Sequence, residues 1–141
     1  MRLIKQTFST SCGIACVAML LNLNQKYVMK IAAKLFDWDI SKSSGNFRTN
    51  KEDIIDLLRK LGYKGEAKFE KFKDWQSFEG LNLVAVRYTK NHNWHWVVVV
   101  GKNNGIMIYN PEKTSKIFIP KGSKPDGRTY GRAKFYLNVK T

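Results

Sequence analysis

The strongest constraint on how this chain can fold is a change of period at Gly62. Before that glycine, apolar residues recur at helical spacing; beyond it they alternate, or run together in short stretches rich in Val, Ile and Tyr. Helices first and strands afterwards indicate an α+β domain, with N-terminal helices packed on one side of a C-terminal antiparallel β-sheet. With 141 residues, no internal repeat and no linker-like stretch, the chain reads as one domain over 1–141.

The helical half divides into three segments. Thr10 and Ser11 precede Cys12, and Ile14, Ala15, Val17, Ala18 and Leu21 follow at helical spacing, so Cys12 falls in the first turn of a helix. After the turn Asn22-Leu23-Asn24, residues 25–36 form a second amphipathic pattern, and 38–48 read as a loop. Thr49-Asn50-Lys51-Glu52 has the form of a capping box, with Ile54, Ile55, Leu57, Leu58 and Leu61 on the buried stripe of a third helix and Gly62 at its C′ position. Strands are expected at 66–70, 81–88, 94–100, 106–109, 116–119 and 133–139. Trp75 and Phe78 anchor a connection at 71–79, and the Gly/Pro/Ser-rich stretch 122–131 reads as a mobile loop.

Composition narrows the classes of function. The first residues lack the apolar core of a signal peptide, and the longest apolar stretches are too short to span a bilayer, so a soluble, cytoplasmic protein or a delivered effector domain is expected. Cys12 and Cys16 share a helix face without the freedom to bridge easily, which fits a reducing compartment. A zinc site would need more ligands than these two cysteines with His92 and His95, so no metal and no cofactor is expected. The net charge of +14 favours an acidic partner: an inhibitor-type or immunity-type protein, nucleic acid or an anionic surface. The basic residues are nevertheless dispersed, without a dense block, so a solvated lysine-rich face is the favoured reading over a nucleic-acid partner.

Four residues carry candidate chemistry. At a helix N-terminus the unpaired amides and the positive end of the dipole favour a Cys12 thiolate, and Gly13 would let a substrate backbone approach it. His95 opens a valine strand, which a short hairpin joins to a strand ending at Asn110-Pro111. A turn at Asn103-Asn104 sets Asn110 opposite Val97, and one at Asn104-Gly105 sets it opposite Val99. Because His95, Val97 and Val99 alternate onto one face, either register puts Asn110 on the face of His95, and the first makes them diagonal neighbours. There an asparagine can accept from the imidazole and fix its tautomer. Gln6, six residues before Cys12, is spaced to aim its amide at an oxyanion beside the Cys12 N–H. His92, the rival base, lies in what reads as an exposed hairpin tip.

Gln-x5-Cys-Gly-x-Ala, His-aromatic-Val-Val and the strand-ending Asn-Pro together resemble the bacteriocin-processing cysteine peptidases, a papain-like group that cleaves double-glycine leader peptides, here without the exporter usually fused to it. The resemblance runs from Gln6 to about Pro111. It implies a papain-like fold with Cys12 as nucleophile, His95 as base, Asn110 as orienting residue and Gln6 as oxyanion donor, acting on a peptide or protein substrate. The family usually carries aspartate where Asn110 stands; papain itself uses asparagine. Gly13, Trp94, Trp96 and the 38–48 loop are the expected substrate contacts. Other readings open at this point are a catalytically weak or silent basic binding module, a papain-like effector acting as deamidase or acyltransferase, and a small nuclease using His92 and His95.

Overall fold

The computed structural model describes residues 1–42 and 45–140. Three helices come first: α1 (Cys12–Leu21), α2 (Gln25–Phe36) and α3 (Lys51–Lys60). Six strands follow: β1 (Phe69–Lys71), β2 (Gly80–Val86), β3 (His95–Lys102), β4 (Gly105–Tyr109), β5 (Ile117–Pro120) and β6 (Phe135–Val139). A 3₁₀ turn at Trp75–Ser77 lies between β1 and β2, and a four-residue helix, α4 (Gly127–Tyr130), precedes β6. The strands form one sheet in the order β1-β6-β2-β3-β4-β5, and every pairing in it is antiparallel.

The sheet is buried on both faces, which explains the continuous apolar runs of β2 and β3. On one face Leu83, Ala85, Trp96, Val98, Leu137 and Val139 pack against the three helices. On the other, Val84, Val86, Val97, Val99, Ile106 and Ile108 form a second, smaller core with Trp75, Phe78 and Tyr130. The three long helices thus lie on a single side, while the 3₁₀ turn and α4 cover the opposite one. Every residue of α1 from Gly13 to Leu20 is buried, because this helix lies between the sheet and the other two helices. Among the described residues no helix is long and apolar enough to cross a membrane.

Local signals account for most boundaries. Asn24 caps α2 by accepting from the N–H groups of Lys26 and Tyr27. The capping box of α3 sits one residue later than the sequence pattern implies: Asn50 accepts from Asp53 N–H, and Asp53 reciprocates on Asn50 N–H. Thr49 is drawn out of the cap by burial, its carbonyl and hydroxyl both accepting from the Trp96 indole. The stretch 122–131 is less open than its composition implies, since Asp126 caps α4 and Tyr130 is buried beneath the sheet.

The hairpin between β3 and β4 sets the position of the candidate site. Lys102 pairs with Gly105, leaving Asn103-Asn104 as the two-residue turn. The last ladder pair is Val98 with Tyr109, so Asn110 follows on, opposite Val97.

Candidate active site

His95 begins β3 and Asn110 leaves β4, so the hairpin register alone brings them together at one corner of the sheet. His95 Nε2 lies 2.8 Å from Asn110 Oδ1, and both residues are buried. The Asn110 amide orientation follows from its partners: Oδ1 also accepts from Glu112 N–H at 3.1 Å, so the oxygen must face the ring. An acceptor at that position assigns the imidazole proton to Nε2 and leaves the Nδ1 lone pair free. Asn110 Nδ2 makes no hydrogen bond among the described residues, and the buried Tyr130 phenol is the polar group beside it.

Cys12 is the first residue of α1 and lines the same cleft as His95. Ser11 stands at the N-cap but its side chain does not cap the helix; its hydroxyl bonds back to the Phe8 N–H and carbonyl. The backbone of Trp96, the residue after His95, lies against the Cys12 sulfur, as does the backbone of Gly13, and both favour the thiolate. Burial acts in the other direction and dominates, pushing the thiol above its usual range. Burial likewise lowers the His95 imidazole, with the Asn110 hydrogen bond and the Glu112 carboxylate pulling it partly back up. Both shifts favour a neutral thiol and a neutral imidazole at rest.

One turn along α1, Cys16 is wholly buried and donates its S–H to the Trp96 carbonyl at 3.4 Å. Burial raises its pKa well above the usual value, so it remains a thiol. The two cysteines therefore grip the backbone of one residue of β3, and Cys16 fastens α1 to the strand that begins with His95.

Gln6 is placed differently from the expectation. Its backbone N–H donates to the Pro111 carbonyl at 2.8 Å, tying the N-terminal segment to the Asn110 corner. Its side-chain NH₂ donates to the carbonyls of Phe8 and Ser9 at 2.9 and 3.0 Å. Both amide protons thus brace the loop leading to Cys12, and neither is offered to an oxyanion. Gly13 sits close under its neighbours. It is buried, and a Cβ there would stand 2.1 Å from Thr49 Oγ1 and 3.1 Å from Trp96 Cδ1. The absent side chain makes room for Thr49 and Trp96.

Trp94 and Arg48 line the cleft on both sides of Cys12, with Trp94 stacked on Tyr88 at 5.9 Å and 13°. Trp96, only 1% exposed, is the floor of the cleft. In the 38–48 loop, Trp38 packs on Phe36 and Phe47 instead of facing the cleft, and Ser43 and Ser44 lie outside the described residues. His92 is exposed at the tip between β2 and β3, its Nδ1 2.6 Å from the Tyr88 hydroxyl.

Two charged residues that the sequence reading did not single out complete the corner. Glu112 Oε1 lies 3.5 Å from His95 Nε2 and 2.9 Å from Arg87 Nη1. The one available signal for Glu112 was its place two residues beyond Asn110. Arg87 had none, because its left-handed backbone (φ 51°) depends on contacts with residues 130–131.

No curated protein matches the chain at a significant level. Residues 1–122 match the Peptidase C39 family, a span that contains α1 to α3, strands β1 to β5, and Gln6, Cys12, His95 and Asn110. Strand β6 lies beyond the match yet pairs between β1 and β2 inside the sheet. On the extent of that match, and on helices packed against an antiparallel sheet as in a papain-like peptidase domain, the chain belongs to the Peptidase C39 family.

Proposed function

We propose that this chain hydrolyses peptide bonds with Cys12 as nucleophile, His95 as its base and Asn110 as the residue that orients His95. The observation that carries the reading is the buried 2.8 Å contact between His95 Nε2 and Asn110 Oδ1, in the cleft that Cys12 lines from the start of α1. Because the resting pair is neutral, the imidazole acts as a general base: Nδ1 takes the thiol proton as sulfur attacks the carbonyl carbon. The tetrahedral oxyanion is met by the Cys12 N–H at the positive end of α1. The imidazolium then protonates the departing amine, leaving a thioester. Water, deprotonated by the same nitrogen, releases the acid and restores the thiol. Gln6 supports this chemistry by holding the loop before Cys12, and Trp94 and Arg48 supply the cleft walls along which an extended peptide lies.

The raised thiol pKa favours one competing reading, a papain-like binding module with a silent site. A thiol-directed electrophile separates the two. Labelling of the native protein should fall entirely on Cys12, disappear in Cys12→Ala, drop at least about tenfold in His95→Ala, and persist in Cys16→Ala. Equal labelling of both cysteines, or none, sinks the peptidase reading. Salt-sensitive capture of nucleic acid that survives Cys12→Ala would support the binding module instead. Deamidation or acyl transfer would share the thioester and be distinguished by the product released.

A further inference from the structure

The proposed chemistry leaves one carboxylate beside His95 without a part. Glu112 reaches its place by three constraints. Its backbone N–H donates to the Asn110 oxygen that the imidazole also uses. Arg87 grips its carboxylate at 2.9 Å, and the chain leaves β4 in a turn closed by Lys113 N–H on the Asn110 carbonyl. Arg87 is itself held in an unusual backbone conformation for a non-glycine residue, with φ 51°. Its N–H donates to the Tyr130 carbonyl at 2.8 Å, and Gly131 lies so close that an added Cβ would stand 3.2 Å from Arg87 Cα. An ion pair with side chains 37% and 36% exposed contributes little to stability on its own. Such a tether is better accounted for by where it puts the carboxylate.

We propose that Glu112, tethered by Arg87, is the anionic partner of the His95 imidazolium, a positioning residue that stabilises the ring's charge and its Nε2–H orientation. Asn110 fixes the tautomer but carries no charge, so the negative charge must come from another group. When Nδ1 takes the proton from the Cys12 sulfur, Nε2–H already faces Asn110 Oδ1 at 2.8 Å and Glu112 Oε1 at 3.5 Å. The proton stays on the ring until the leaving amine takes it, and Glu112 remains ionised throughout. Cys12 from α1, Arg48, Thr10, Thr89 and Asn93 share the cleft with the ring, Arg87 faces it from the end of β2, Lys113 lies near Glu112, and Tyr130, with Asp126 near it, lies beside Asn110. Glu112 is the only carboxylate in contact with the imidazole among the described residues. Its pull on His95 exceeds the opposing one of Arg87.

The rate consequence rests on the peptidase reading; the electrostatic coupling does not, and the test separates them. In ¹H–¹⁵N spectra of the full chain, with His92→Gln removing the second histidine, the His95 titration midpoint should move to lower pH in Glu112→Gln and return in Glu112→Asp. The rate of Cys12 labelling, or kcat on a cleaved peptide, should fall about tenfold in Glu112→Gln with KM unchanged. The double variant Asn110→Asp/Glu112→Gln, which returns a carboxylate to the ring, should recover most of that loss. In the wild-type chain, the ¹³Cδ signal of Glu112 should step at the pH where His95 titrates, a readout that does not depend on any variant folding. An unmoved His95 midpoint in Glu112→Gln, or no such step, overturns the proposal. A moved midpoint in a chain that neither cleaves peptides nor labels at Cys12 keeps it and overturns the peptidase reading instead.

Discussion

The two halves of the cleft are prepared to different degrees. On the histidine side the imidazole is bonded to Asn110, Asn110 Oδ1 is fixed by the Glu112 N–H, and Glu112 is fixed by Arg87. On the cysteine side the Cys12 sulfur lies against the backbone of Trp96 and Gly13, its N-cap residue Ser11 is turned back to Phe8, and burial holds the sulfur as a thiol. The contrast teaches that the fold gives its polar groups to orienting the His95 ring and leaves the Cys12 sulfur to burial and to neighbouring backbone. That division is economical, because a ring has a tautomer and a plane to fix, whereas a thiol on a rigid helix start is already aimed by the backbone.

The largest effect should come from breaking the histidine side. Asn110→Ala removes the short bond to Nε2 and the acceptor for Glu112 N–H, so both the ring and its carboxylate lose their reference point. A fall of about 100-fold in the rate of Cys12 labelling or peptide cleavage is expected, with the melting temperature lowered only modestly. Asn110→Asp should retain most of the rate, since its carboxylate accepts from the same two donors. A loss under fivefold in Asn110→Ala would mean that the ring is held by something else, and the contrast between the two sides would disappear.

A smaller effect is expected from Gln6, which probes the cysteine side. If its amide only braces the Phe8 and Ser9 carbonyls, Gln6→Ala should lower the melting temperature and slow turnover less than about tenfold. Loss of an oxyanion donor costs about 10²- to 10³-fold in kcat. A fall of that size would show that a proton of the Gln6 amide swings from a carbonyl to the substrate, so that the cysteine side is assembled by binding.

Much of this arrangement was legible in the sequence, for identifiable reasons. Helix α2 spans 25–36 as its amphipathic period implies, and Asn24, the last residue of the expected turn, proves to be its cap. The His95–Asn110 juxtaposition follows from period-two alternation and a two-residue turn, both local properties. Local signals failed where a distant residue intervened. Thr49 looks like a cap until the Trp96 indole takes its oxygen atoms from 47 positions away. That Gly13 lacks a side chain because Thr49 and Trp96 fill its place is likewise a tertiary fact that no local pattern carries. Arg87 meets Glu112 from the end of β2, which residues 130–131, beyond the matched family region, contact directly. No spacing rule relates three such segments.

The pH dependence should show the finest difference between the two sides. Burial lowers the His95 imidazole from its usual 6.5 and raises the Cys12 thiol from its usual 9.0. The shifts point in opposite directions, and each favours the uncharged form of its group. The neutral base is therefore present from a pH below 6.5 upward, and the protonated thiol persists to a pH above 9.0. Alkylation of the free protein by a small neutral reagent follows the thiolate, so its rate should keep rising through pH 9 without a plateau near neutrality. A plateau between about pH 5 and 8, the signature of a resting thiolate–imidazolium pair, would show that the two groups titrate together and that the cysteine side is as prepared as the histidine side. Stability should carry the matching sign. Because the unfolded chain protonates this histidine more readily than the folded one, stability is lost as pH falls below about 6.5 and levels off once the folded imidazole is protonated. His95→Gln should flatten that loss in melting curves recorded between pH 7.5 and 5. A wild-type slope unchanged by the substitution would mean that burial does not hold the ring neutral, removing the basis for a general-base role at rest.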